Sequence, residues 1–190
     1  MQIMARLLLC AAVGLGGSGC LFPQDDQVLP TPPPVKNQPL RIVLADPSKQ
    51  PFDFTGGTVP NMGTTLCETA MFSVTVNDPD LKDHIGSYWY IDQTSNSLPF
   101  RPSVVDATGQ VSRTVNQPNS NAFKAAMGSM TTGTHLLTVY VTDTDFQERD
   151  DGSLAALPTP RLMPDGSEVL DPGYIDSYTW VLRVGPACQQ

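Results

Sequence analysis

The chain has 190 residues, of which 16% are charged and 7% aromatic, and it contains 15 glycines and 18 prolines. Its 19 acidic residues against 11 Lys and Arg give a formal net charge of −8. This length suits one medium-sized domain, the composition argues against helical bundles and coiled coils, and the acidic balance excludes a nucleic-acid binder, which needs a basic patch to displace counterions.

The chain opens with a pattern typical of a secretory signal peptide. Arg6 and the α-amino group form a positive start, an apolar run follows over residues 7–15, and small residues lead to Cys20. The apolar run is about half of the ~20 residues that a membrane-spanning helix needs. The sequence therefore predicts a cleaved leader over residues 1–19.

The residues around the predicted cleavage point resemble the lipobox of bacterial lipoproteins. Gly17, Ser18 and Gly19 precede Cys20, although Gly17 stands where that family usually has leucine. The resemblance implies that Cys20 becomes the acylated N-terminus and attaches the chain to a membrane. Leu21 replaces the aspartate that retains such proteins in the inner membrane, which implies the outer membrane, on its periplasmic or surface face. The alternative is an ordinary signal peptide with an incidental Cys20.

A proline-rich segment follows the predicted acylation site. Residues 21–39 contain six prolines and little that a core could bury. At ~3.1 Å per residue in a polyproline II conformation, this segment reaches on the order of 60 Å. We therefore interpret residues 20–39 as the acylated terminus and a spacer, with the folded domain beginning at Leu40.

Beyond the spacer, apolar and polar residues alternate with period two in short runs rich in Val, Thr and Tyr. The runs are residues 40–45 (with Leu40, Ile42 and Leu44 on one face), 72–77, 88–92, 137–142 and 180–184. This pattern is typical of half-buried strands. Weaker strands are predicted near residues 101–106 and 111–115, and one or two helical turns over residues 121–127. The sequence thus predicts an all-β, antiparallel β-sandwich over residues 40–188.

Two segments resemble the Ig-like domains of the polycystic-kidney-disease (PKD) type. Asp78-Pro79-Asp80 followed by Trp89 is similar to their D-P-D…W segment, and residues 133–143 are similar to their G-x…V-x-D strand. The resemblance implies an Ig-like sandwich that serves as a non-catalytic spacer or binding unit in bacterial surface proteins. The chain departs from the family in a long insertion, residues 144–176, before the last strand.

The cysteine count leaves one candidate disulfide. Cys10 is lost with the leader and Cys20 carries the lipid, so that Cys67 and Cys188 remain. In an Ig-like sandwich the start of the second strand and the end of the last strand lie at the same pole. We therefore predict a Cys67–Cys188 disulfide, worth roughly 4–5 kcal/mol in the chain-entropy model. The alternative is two unpaired thiols.

Acidic loops gather at the opposite pole of the predicted sandwich. Residues 143–176 carry nine acids against two arginines. Ca²⁺ accepts six to eight loosely arranged oxygen ligands, so Asp78, Asp80, Asp143 and Asp145 form a candidate Ca²⁺ site. The alternative is that aspartate simply favours turns. No other cofactor is predicted.

Patterns that would indicate an enzyme are weak. His84 and His135 lack the spacing of zinc ligands, no G-x-S-x-G motif occurs, and no glutamate pair suits glycoside hydrolysis. Trp89 and Trp180 fall on the inward sets of their strands, which favours the core over a sugar-binding platform. The insertion has almost no strand pattern, and its apolar residues either pin it to the sandwich or meet a partner.

These patterns predict a lipid-anchored cell-envelope protein with a non-catalytic structural or partner-binding role, its partner an unidentified envelope protein. One alternative is a Ca²⁺-dependent adhesion or glycan-binding module. Another is an enzyme whose site lies in the insertion.

Overall fold

Short strands dominate the fold, as the period-two alternation predicts. The computed structural model describes residues 36–54, 70–94, 98–101, 104–149 and 153–186. In chain order the elements are β1 (Arg41–Asp46), β2 (Phe52–Asp53), β3 (Ser73–Asn77), β4 (Gly86–Ile91), β5 (Ser112–Asn116), α1 (Asn121–Gly128), β6 (Gly133–Thr142), β7 (Phe146–Glu148), β8 (Leu154–Ala156), β9 (Thr159–Leu162), β10 (Glu168–Asp171) and β11 (Ile175–Val184).

Several predictions concern residues outside those ranges. The leader, the acylation of Cys20 and the pairing of Cys67 with Cys188 all lie outside the described residues. The described part of the chain contains no helix of the length and apolarity that crossing a bilayer requires.

The strands form two sheets around a common core. The first sheet has the order β1-β3-β5 and is antiparallel throughout. The second has the order β2-β11-β6-β4, with β2 parallel to β11 and the other neighbours antiparallel. Two small antiparallel sheets, β7-β8 and β9-β10, occupy the insertion between β6 and β11. The predicted all-β sandwich is confirmed.

The core consists of the inward side chains of both sheets. Its fully buried members include Val74, Val76 and Val115 from the first sheet and Trp89, Leu137, Val139, Trp180 and Leu182 from the second. The prediction that both tryptophans are core residues is confirmed, because neither has any exposed surface.

The predicted helical turns over residues 121–127 are confirmed as α1. The Ser120 hydroxyl accepts a hydrogen bond from the Phe123 N–H (3.2 Å), which caps the helix at its start. Phe123 and Met127, one helical turn apart, are the buried residues of this helix. The Phe123 ring packs edge-on against Trp89, so α1 extends the core beyond the sheets.

The first strand does not keep the predicted alternation. Its pairing with β3 shifts register between Ile42 and Leu44, and beyond this irregularity Ala45 is buried while Leu44 is 57% exposed. An extra residue in one strand turns every later side chain to the other face. The placement of Leu44 on the inward face was therefore wrong.

Two weaker predictions also need correction. In the described part of the segment predicted as a strand near residues 101–106, which is residues 101 and 104–106, Val105 forms an isolated bridge to Ile85 rather than a strand. The insertion, for which almost no strand pattern was predicted, holds the β7-β8 and β9-β10 hairpins. Strands of three or four residues are too short for a period-two pattern to identify them.

Candidate functional site

Five stretches of the chain line a cleft at one end of the sandwich, here called the acidic pole. They are residues 37–38, the loop after β3 (residues 79–84), the loop after β6 (residues 143–145), the stretch that contains β9 (residues 157–162) and Asp171 at the end of β10. The cleft has a volume of about 1000 Å³. Loops of one end cluster in this way in β-sandwiches, as the sequence analysis expected.

Asp80, Asp143 and Asp145, three of the four predicted calcium ligands, line this cleft. Among the described residues, no group of three or more His, Cys, Asp or Glu side chains is arranged to hold a metal ion. The Ca²⁺ site stays a prediction, and the hydrogen bonds of the individual carboxylates define what each one does in the fold.

Asp78, the fourth predicted ligand, is fully buried and forms an ion pair with the buried guanidinium of Arg113. The same guanidinium donates to the carbonyl oxygen of Asp83. The other oxygen of Asp78 accepts the backbone N–H of Asp80 at 2.9 Å. Burial raises the pKa of Asp78, although the Asp80 N–H and Arg113 act in the opposite direction. This carboxylate therefore holds the loop after β3 in place.

Asp143 is a second buried carboxylate, and it joins two distant parts of the chain. Its Oδ1 accepts the backbone N–H of Tyr174 at 2.9 Å, and its Oδ2 accepts the Asn37 side-chain N–H at 3.1 Å. Desolvation by burial raises the pKa of Asp143 to about 6, against the lowering effect of these hydrogen bonds. A cleft carboxyl with this pKa changes charge in a mildly acidic environment.

Asn37 and Gln38 fix the point at which the chain enters the sandwich. The Asn37 side chain also donates to the Pro172 carbonyl (3.0 Å), and its backbone N–H points to Asp171 (3.4 Å). The backbone N–H of Gln38 donates to Asp80 (2.6 Å). Sequence reasoning assigned both residues to the spacer, because nothing in a proline-rich segment indicates these contacts.

Arg161 and Asp171 join the two strands of the hairpin β9-β10. Arg161 Nε donates to Asp171 Oδ2 at 2.5 Å, and Nη2 donates to Oδ1 at 3.2 Å. The two bonds form a forked pair, and the guanidinium lowers the pKa of Asp171. This pair was not predictable from the sequence, because its members lie ten positions apart and the strands that carry them are short.

His135 is engaged in the fold at both ring nitrogens. Nδ1 bonds the carboxylate of Asp92, and Nε2 bonds the carbonyl oxygen of Thr131 at 2.8 Å. Partial burial disfavours the charged ring, yet these two hydrogen bonds prevail and raise the pKa of His135. A ring held in this way links the end of β4 to β6 and offers neither nitrogen to a substrate.

Comparison of the chain with protein-family models, with curated proteins and with solved structures finds no match. Function therefore has to be inferred from the acidic pole and the sequence patterns.

Proposed function

We propose that the chain is a lipid-anchored cell-envelope protein that binds a partner, without catalysis, through the cleft of the acidic pole. The observation that carries this proposal is the cleft itself, whose walls come from five separate stretches of the chain. Hydrogen bonds accepted by the carboxylates of Asp78, Asp143 and Asp171 hold these stretches in place before any partner arrives. Such preorganisation lowers the entropic cost of binding.

The strand order supports an Ig-like assignment for the sandwich. In Ig-like domains the strands A, B and E share one sheet, and C, F and G share the other. The orders β1-β3-β5 and β11-β6-β4 correspond to those two sets in chain order. Loops carried on a rigid scaffold of this kind are a common place for binding sites.

The membrane anchor rests on the sequence around Cys20. The small residues before this cysteine and the apolar run over residues 7–15 favour acylation, and the location that follows is the cell envelope, in the outer membrane. Mass spectrometry of the N-terminal peptide tests this part. We expect a diacylated Cys20 in the natural chain and an uncleaved leader in Cys20→Ser, whereas an unmodified Cys20 at a mature terminus would contradict the anchor.

A photo-crosslinking experiment in intact cells tests the binding role. A crosslinking side chain replaces Lys82, an exposed cleft residue, or Lys49, another exposed lysine at the other end of the sandwich. We expect a discrete crosslinked species from position 82 and none from position 49. The same species from both positions, or none from position 82, would overturn the proposal.

The second candidate is the Ca²⁺-dependent adhesion or glycan-binding module. The observation in its favour is that Asp80, Asp143 and Asp145 line one cleft. Asp78, however, is committed to Arg113. Thermal unfolding with and without Ca²⁺ separates the two candidates.

A further inference from the structure

The hairpin β9-β10 carries an apolar face that no described residue covers. Its register places Leu162 opposite Glu168 and Pro160 opposite Leu170. Directly opposed residues of an antiparallel pair share a face, so these four side chains lie together. Leu162 is 68% exposed and Leu170 is 62% exposed. Leu162 and Leu170 are therefore diagonal neighbours on one solvent-exposed face.

The other face of the same hairpin carries its polar contacts. Arg161 of β9 and Asp171 of β10 lie on that face and form the forked pair, which joins the two strands to each other. Asp171 is buried and also faces the Asn37 N–H at 3.4 Å, which links the hairpin to the segment before β1. A two-stranded hairpin is marginally stable on its own in water. The forked pair stabilises the hairpin and the Asn37 contact ties it to the start of the sandwich, so the apolar face is carried on an ordered support.

Exposed apolar patches on soluble domains mark interaction sites. Strand addition along the free edge of β9 is disfavoured, because Pro160 has no N–H to donate. The side chains of the apolar face are therefore the surface that a partner meets. β9 is also a wall of the cleft, so a partner on this face reaches the cleft as well.

The charges around the apolar face indicate what kind of partner binds there. Glu168 lies on this face opposite Leu162, Asp165 lies in the turn of the hairpin, and both carboxylates are exposed, while Arg161 is bound to Asp171. A second copy of a chain with net charge −8 would add like charge, as would an anionic membrane surface. We propose that the apolar face docks a basic, amphipathic segment of a partner protein. This inference rests on the proposed function and names the partner's chemistry.

A peptide-binding experiment with the purified full chain tests this inference. The probe is a labelled peptide of alternating Lys and Leu, compared with Glu–Leu and Lys–Ser peptides by fluorescence anisotropy. We expect the Lys–Leu peptide to bind best, with an affinity that falls as salt is added. The double variant Leu162→Ser, Leu170→Ser should weaken its binding at least tenfold.

A matched double variant controls for general stickiness. Val43 and Leu44 on β1 are 53% and 57% exposed, which is similar to the exposure of Leu162 and Leu170. The double variant Val43→Ser, Leu44→Ser should leave the affinity for the Lys–Leu peptide unchanged. The inference would be overturned if both double variants lost the same affinity for the Lys–Leu peptide, or if the Glu–Leu peptide bound equally well. It would also be overturned if the two leucines bound anionic vesicles or a second copy of the chain instead.

The crosslinking experiment keeps this inference separate from the proposed function. A crosslink at position 82 together with undiminished peptide binding by the leucine variant means that the pole binds a partner and the apolar face does not dock it. Absence of a crosslink from position 82 in the chain that keeps both leucines means that the proposed binding role is wrong.

Discussion

The indole rings of Trp89 and Trp180 stack above β6, with centroids 5.7 Å apart and planes inclined by 10°. The two residues come from β4 and β11, which lie on either side of β6 in the second sheet. Trp180 also donates its indole N–H to the Pro47 carbonyl at 3.0 Å. One side chain thus fills the core and holds the turn between β1 and β2.

Replacement of Trp180 tests that double role. Trp180→Phe leaves a cavity beside Trp89 and an unsatisfied carbonyl at Pro47, so we expect a loss of about 2–4 kcal/mol in the free energy of unfolding. Urea denaturation followed by circular dichroism measures it. Leu44→Ala, at an exposed position, should stay within about 0.5 kcal/mol of the natural chain. Similar losses in the two variants would contradict the structure.

The buried pair of Asp78 and Arg113 predicts strong non-additivity. Arg113→Met leaves the Asp78 carboxylate buried without its cation, and such a change costs about 3–5 kcal/mol. The double variant with Asp78→Leu removes both charges and should regain part of that loss. A double-mutant cycle from urea denaturation gives the coupling. Simple addition of the two single losses would show that the side chains do not interact.

The raised pKa of Asp143 predicts that the free energy of unfolding falls as the pH rises. Its pKa is about 6 in the folded chain and near the ordinary 3.8 when unfolded, so the folded state binds the proton more tightly. The stabilisation from proton binding at Asp143 is complete below about pH 4 and is lost as the pH rises through about 6. After allowance for solvent screening at the cleft, it amounts to about 2 kcal/mol. Asp143→Asn should therefore remove this pH dependence, because an amide does not titrate in this range.

Urea denaturation from pH 4 to pH 8 measures that dependence. The Asp143→Asn curve should be flatter than the natural one, whereas the exposed control Asp106→Asn should keep the natural slope. Parallel curves for the natural chain and Asp143→Asn would remove Asp143 as the source.

The packing around Gly173 at the pole leaves no room for a side chain. A Cβ atom there would lie less than 3.0 Å from the Leu157 carbonyl oxygen, from Thr144 Oγ1 and from Ala156 Cβ. We expect Gly173→Ala to cost about 1–3 kcal/mol, because a backbone atom cannot move aside cheaply. Gly86→Ala, whose Cβ would come no closer than 3.4 Å to a neighbour, should cost less. Thermal unfolding compares the two variants, and the reverse order would count against the packing described.

The calcium hypothesis makes its own prediction. A site saturated at about 100 times its Kd adds about 2.7 kcal/mol and would raise the Tm by roughly 5–10 °C. Because Asp78 is paired with Arg113 and Asp143 accepts hydrogen bonds from Asn37 and Tyr174, we expect superimposable melts in millimolar Ca²⁺ and in EDTA. A rise that Asp145→Asn abolishes would restore the adhesion or glycan-binding alternative.

The sequence predicted those parts of the fold in which local pattern and burial agree. β3, β4, β6 and β11 alternate clearly, and their inward sets, including Trp89 and Trp180, form the core. The register shift in β1 escaped prediction because it depends on the pairing with β3. The hairpins of the insertion escaped because their strands are short.

The pole was predictable in part. Loop clustering followed from the expected sandwich, and it brought Asp80, Asp143 and Asp145 to one cleft. The role of Asn37 was not predictable, because the residues it bonds lie 106 to 135 positions away in the chain. Only the folded structure brings such distant groups together.

The position of Asn37 and Gln38 has a mechanical consequence. Any tension on the chain before Lys36 must pass through these two residues before it reaches the ladder between β1 and β3. The first hydrogen bonds under load are therefore those to Asp80, Asp143 and Asp171, which also hold the cleft walls. Loss of these bonds would therefore open the cleft walls before it disturbs the pairing within either sheet.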